Sequence, residues 1–171
     1  MSDFESRIEV QDGKVVLACV GAGRWGRNLV RVFDSLPEAQ LAAVCDANPD
    51  IRQTMSQQYP ETLVWSDYND LLKTDEIQAI VLAVPAVDHF ETARQALEAG
   101  KHVYVEKPIA LSYDHARQLT ELAESRGLVL MVGHLLEYHP ALRLLKQLVD
   151  AGELGDILYL YAERVNLGVV R

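Results

Sequence analysis

Residues Gly21-Ala22-Gly23-Arg24-Trp25-Gly26 read GxGxxG, directly between an apolar run, Val15–Val20, and a helix-period stretch beginning at Gly26. In that setting each glycine has its own task. Gly21 permits a tight turn, Gly23 lets a pyrophosphate approach the backbone, and Gly26 lets helix and strand pack closely. The free N–H groups at the positive end of the helix then meet the phosphates. Arg24 either adds a charge there or is simply solvated, and Trp25 shares the loop. Asp46 follows Gly21 by 25 residues and closes the second apolar run. A carboxylate at about that distance bonds the adenosine ribose 2′-hydroxyl and repels a 2′-phosphate, which favours NAD over NADP. The bland alternatives are a glycine turn that binds nothing, and an Asx turn or helix cap ahead of Asn48-Pro49.

The elements that must carry these residues follow from periodicity. Short, continuously apolar runs lie at Val15–Val20, Leu41–Cys45, Leu63–Trp65, Ala79–Val84, His102–Val105 and Leu128–Val132. Without alternation, such runs suit a parallel sheet buried on both faces. Between them fall amphipathic stretches: Gly26–Leu36, Asp50–Tyr59, a turn at Tyr68–Lys73, one carrying Val87, Phe90, Ala93 and Leu97, and one capped by Ser112 and ending at Gly127. A further helix covers 137–150. Alternating β and α elements predict an α/β fold, a doubly wound parallel sheet of Rossmann type. The expected organisation is a tail at 1–13, a dinucleotide-binding domain at 14–151, and the start of a truncated α+β domain at 152–171. In that last part Ile157–Val165 alternates like one strand of a one-sided sheet.

Composition narrows the partners. Sixteen basic against 25 acidic residues give a net charge of −9 in 171 residues, which disfavours nucleic acid. No apolar run reaches the ~18 residues of a membrane span. The polar, acidic N-terminus lacks the features of a secretory signal, so the expected compartment is the cytoplasm. The five histidines and two cysteines show no metal-binding spacing, and no metal is expected. Cys19 and Cys45 are expected to be reduced, buried thiols. A redox pair is the lesser reading, open if the two strands are neighbours.

Four segments together, GAGRWG at 21–26, VCD at 44–46, AVPAVDH at 83–89 and EKP at 106–108, make the chain similar to the Gfo/Idh/MocA oxidoreductases. The later stretches VGHLLEYHPA at 132–141 and GELGDILYLYAERVNLG at 152–168 resemble a subgroup associated with sugar-nucleotide oxidation at C3 and polysaccharide biosynthesis. The resemblance implies that Lys107 lies at the nicotinamide and exchanges a proton with the substrate hydroxyl. The residues support this chemistry: oxidising a secondary alcohol needs a base at the carboxyl end of a strand, where doubly wound sheets bind ligands. Partial burial would help a lysine serve as that base. Glu106 is assigned to positioning the lysine or the cofactor.

The resemblance also implies that Ala83, Val84 and Pro85 border the cofactor and that His89 lies near it, although Pro85 could serve only to end the strand and His89 could be a helix-surface residue. Trp65 lies near the adenosine end or packs in the core. His134, Tyr138 and His139 are candidate substrate contacts, with His139-Pro140 equally a helix start; Arg164 and Asn166 are further substrate or dimer candidates. The implied partner is a sugar or sugar nucleotide, in a full-length homo-oligomer. Family members carry a large second domain and often a catalytic histidine within it. The expectation is therefore a chain that binds NAD and turns over poorly alone; the competing reading is a non-catalytic dinucleotide-binding sensor or scaffold.

Overall fold

A computed structural model describes residues 8–163 and Val165. Six strands, β1 (Val15–Val20), β2 (Ala39–Cys45), β3 (Leu63–Trp65), β4 (Ala79–Leu82), β5 (His102–Val105) and β6 (Leu130–Val132), form one sheet in the order β3-β2-β1-β4-β5-β6. All five pairings are parallel. The order reverses between β1 and β4, and the crevice beyond the strands' carboxyl ends at such a switch point is where this topology takes a ligand.

The helices are α1 (Gly26–Ser35), α2 (Pro49–Gln58), α3 (Tyr68–Leu72), α4 (His89–Glu98), α5 (Tyr113–Ser125) and α6 (Pro140–Asp150). Their starts follow local chemistry. Asn48 accepts from the Asp50 amide at 2.9 Å with Pro49 in the first turn, and Ser112 accepts from the His115 amide at 3.2 Å.

Successive strand residues enter opposite layers of the core. Ala18, Val20, Ala43, Cys45, Ile80 and Leu82 pack with Ala93, Leu97 and Leu119 of α4 and α5. Leu17, Cys19, Leu41, Val44 and Val81 pack on the other side with Leu29, Val30 and Met55 of α1 and α2. Two buried faces explain the runs without alternation. Each fully buried Leu, Ile or Val contributes roughly 1.5–3 kcal/mol.

This layering decides the cysteine question. The strands are neighbours, but Cys19 pairs with Val44 while Cys45 pairs with Val20. The two thiols thus belong to opposite layers, both free and buried. Burial pushes the Cys19 thiol far up. It pushes Cys45 up to about 11, helped by the Asp46 and Asp67 carboxylates. Because the thiolate is the reactive form, both should resist a thiol reagent in the native chain and react on unfolding. Prompt native labelling of either would contradict the layering.

The chain divides into two compact units, one ending at Gly133 and one beginning at His134, whereas the sequence places its boundary at 151–152. In the second unit the helix expected over 137–150 is split. Leu135–Tyr138 is a 3-10 turn, and α6 begins at Pro140 with His139 as its cap. The residue before a proline is driven out of the α region, and His139 sits at φ −74°, ψ 123°. Ile157–Glu163, the described part of the expected last strand, pairs with no strand among the described residues. Leu158 and Leu160 are exposed, and so are Tyr159 and Tyr161. A single strand has no ladder to close its backbone hydrogen bonds.

Candidate active site

The glycine loop is fixed from two sides. The Gly21 amide donates to the Cys45 carbonyl at 2.8 Å, and the Ala83 amide donates to the Val20 carbonyl at 2.8 Å. Gly21 has φ +84°, and a Cβ there would lie 2.7 Å from the Ala83 carbonyl oxygen. Gly26 faces a harder limit, since its Cβ would collide with the Gly21 carbonyl oxygen and meet Ala83 Cβ at 3.3 Å. These two glycines answer to the protein's own packing. Gly23 does not: its φ is not positive, and a Cβ would meet nothing within 4 Å.

Trp25 precedes α1 without making a side-chain cap, so the first-turn N–H groups lack a side-chain acceptor from that position. The Arg27 and Asn28 amides donate to the Gly23 and Trp25 carbonyls at 3.1 and 2.9 Å; open space at Gly23 beside this helix start fits the pyrophosphate of a dinucleotide. Arg24 and Trp25 are both exposed on this loop.

Asp46 ties the loop to the end of β2. Its Oδ2 accepts from the Ala22 amide and its Oδ1 from the Asn48 amide, both at 2.8 Å. The Asx turn weighed for this residue is therefore present. It leaves each carboxylate oxygen a second lone pair for a further donor. Arg52, the nearest basic group in sequence, donates to the Asp46 and Ala47 carbonyls at 2.9 and 2.8 Å. Trp65 ends β3, and its carbonyl accepts from the Asp46 amide at 3.1 Å. Its ring packs against the core, as the bland reading had it, but the indole N–H is buried without an acceptor.

Across the switch point, Ala83 and Val84 are half-buried and Pro85 is exposed. β4 stops at Leu82, two residues short of the expected end. Beyond β5 the Glu106–Pro108 turn leaves the sheet, with a cis Lys107–Pro108 bond. Glu106 is buried, and its amide donates to the Leu82 carbonyl at 3.0 Å. One carboxylate oxygen accepts from the Tyr104 hydroxyl and the other from the Lys107 amide, both at 3.3 Å. Lys107 is exposed, not partly buried as expected for a lysine base.

Two features here escaped the sequence reading. Tyr104 lies in β5 and Glu106 directly after its end, two residues apart and so toward one face where the chain stays extended, a signal that was available. Gly133 carried no signal: its Cβ would stand 2.6 Å from the Tyr104 hydroxyl and 2.9 Å from Glu106 Oε1. That crowding exists only once β6 lies beside β5.

His89 is not a helix-surface residue. It is 2% exposed, with both ring nitrogens against backbone carbonyls. That leaves the ring no free nitrogen for a cofactor. A buried lysine, Lys101, lies at the opposite end of β5 and donates to the Thr74 carbonyl at 2.8 Å. Burial holds its ammonium below the ordinary lysine range, against Asp75 and Glu76.

His134, Tyr138 and His139 belong to the second unit and are exposed. His139 Nδ1 accepts from the Ala141 amide at 3.3 Å, so its capping role is realised. The Arg143 guanidinium lies over the Tyr138 ring at 5.1 Å. Arg164 and Asn166 lie outside the described residues. Among the described residues no cluster of acidic, histidine or cysteine side chains could hold a metal, and no helix is long and apolar enough to cross a membrane.

Comparison with known proteins agrees with this geometry. The model of the Gfo/Idh/MocA oxidoreductases, described as an NAD-binding Rossmann fold, matches residues 15–134. A 2,7-anhydro-N-acetylneuraminate hydratase of Mediterraneibacter gnavus is 31% identical over 147 residues, covering 86% of this chain and 38% of the relative. A scyllo-inositol dehydrogenase of Lactobacillus casei, solved with NAD(H) and scyllo-inositol, superposes with a TM-score of 0.76 at 27% identity, over 84% of this chain and 43% of that one. A 3-ketoreductase of Actinomadura kijaniata, solved as its Y186F mutant with NADP and TDP-benzene, gives a TM-score of 0.77 at 27% identity, over 84% and 44%. This chain thus spans about two-fifths of the length of such relatives. It belongs to the Gfo/Idh/MocA oxidoreductase family, whose NAD-binding Rossmann domain it carries.

Proposed function

We propose that the chain is the cofactor-binding part of an oxidoreductase that moves hydride between nicotinamide and a secondary alcohol of a sugar or sugar nucleotide. The observation that carries this reading is the placing of Lys107. The sheet order sets the turn after β5 beside the end of β4, next to the glycine loop after β1, and the lysine there is exposed. The bound nicotinamide supplies the hydride acceptor or donor. Lys107 takes the hydroxyl proton on oxidation and returns it on reduction. Buried Glu106 accepts from the Lys107 amide and so fixes where the side chain starts.

Gly21, Gly23 and Gly26 form the pyrophosphate cradle, with Arg24 and Trp25 at its rim. Asp46 takes the ribose hydroxyls and favours NAD over NADP. Its carboxylate faces a 2′-phosphate with like charge, and Arg52 is already engaged on carbonyls. The sugar and sugar-nucleotide relatives support the substrate class.

The test is a titration of the chain with NADH and NADPH, following energy transfer from Trp25 and Trp65 to the reduced nicotinamide. Saturable transfer with NADH, at least about tenfold tighter than with NADPH, is expected; a tenfold ratio corresponds to about 1.4 kcal/mol. No saturable signal with either cofactor would overturn the binding role. Tighter NADPH binding would overturn the assignment of Asp46.

A further inference from the structure

The end of β4 and the turn after β5 both border the proposed nicotinamide site. The strand ladder joins them as far as the Glu106 amide, which donates to the Leu82 carbonyl at 3.0 Å. Beyond that bond a side chain takes over. His89, at the start of α4, places Nδ1 2.6 Å from the Pro108 carbonyl oxygen and Nε2 2.9 Å from the Val84 carbonyl oxygen. Val84 follows β4, and Pro108 follows Lys107 directly. A carbonyl can only accept. A ring with one N–H would satisfy one carbonyl and set a lone pair against the other. The ring is 2% exposed, so bulk solvent hardly reaches its nitrogens, and an unmade buried hydrogen bond is costly.

We infer that His89 is a positioning residue whose ring donates from both nitrogens, stapling the Lys107-Pro108 turn to the end of β4. The role in turnover rests on the proposed acid/base function of Lys107; the staple does not. Its action runs through the backbone, which separates it from direct cofactor binding. Phe90, the next residue, stacks on His115 of α5 at a ring separation of 3.8 Å, a second anchor for the start of α4.

The first test is nitrogen NMR of the labelled chain at neutral pH. Two N–H-type ring nitrogens with slowly exchanging protons at His89 are expected. One bare ring nitrogen would overturn the two-ended staple, and this needs no variant.

The second uses His89→Gln, which keeps one donor, in a form of the protein that turns over. The expected result is a fall in kcat of about 100-fold, the scale of a 1 Å misplacement, with KM for NAD little changed. Amide exchange at Glu106 and Lys107 should become faster. Wild-type kcat together with wild-type exchange would overturn the positioning role. Should His89→Gln fail to fold, the wild-type ring nitrogens still decide. Should Lys107 prove dispensable for turnover, the acid/base reading fails, while the ring and amide measurements still judge the staple.

Discussion

Lys107→Met is expected to lower turnover by about 10²–10⁴-fold, the usual contribution of a general acid or base, while NADH affinity stays within a few-fold of wild type. Methionine keeps much of the side chain's length and apolar stem but cannot carry the proton. Lys107 is exposed, and among the described residues its side chain makes no hydrogen bond or ion pair. The substitution should therefore change stability by less than about 0.5 kcal/mol. Glu106 keeps its bond to the backbone amide of residue 107 whatever the side chain. The defect should fall equally on kcat and kcat/KM, the mark of an interaction made only in the transition state. Lys107→Arg should not rescue it, because a guanidinium does not give up its proton in proteins. The assay is initial rate with sugar and sugar-nucleotide alcohols, in a form of the protein that turns over. Unchanged kcat would exclude Lys107 as the acid/base group. Retained output with unchanged cofactor binding would favour a non-catalytic sensor.

What could be read in the sequence, and what could not, divides by distance along the chain. The glycine loop, Asp46 and the 106–108 turn were legible because each is local and its neighbours announce it. Strand existence was legible for the same reason: a run buried on both faces stays apolar throughout. Properties that depend on two strands meeting were not. The thiols of Cys19 and Cys45 lie on opposite layers only because the register sets Cys19 against Val44. His89 was open to a place near the cofactor or on the helix surface, because nothing near position 89 reveals that the Pro108 carbonyl comes to meet it. Gly133 had no role to read until β6 brought it against the Tyr104–Glu106 pair. Strand ends shifted where a neighbour claimed a residue. Leu128 was expected to open the sixth strand, but its amide closes α5 on the Ala123 carbonyl at 2.9 Å, and β6 starts two residues later.

The glycine loop supports the second large prediction, in which two substitutions of the same kind separate folding from binding. Gly26→Ala should destabilise the chain by about 3 kcal/mol, at the upper end for overpacking. The added methyl meets the Gly21 carbonyl oxygen, which is backbone and held by the Gly21 amide's bond to Cys45. Ala83 closes the other side, so neither neighbour can retreat without parting β1 from α1. Alanine's better helix propensity returns at most about 1 kcal/mol. A loss of 3 kcal/mol is a large fraction of the 5–15 kcal/mol that holds a typical domain together.

Gly23→Ala should melt like wild type, since its Cβ enters open space on a backbone that any L-residue can adopt. It should nonetheless weaken NADH at least about tenfold, about 1.4 kcal/mol, because the methyl stands where the pyrophosphate must approach. Urea or thermal denaturation with the NADH titration reads both variants. A Gly23→Ala chain that binds NADH like wild type would mean that the space at residue 23 belongs to no ligand. A Gly26→Ala chain of wild-type stability would mean that the loop and α1 can separate without cost. The cradle would then be a flexible turn rather than a surface built to receive a phosphate.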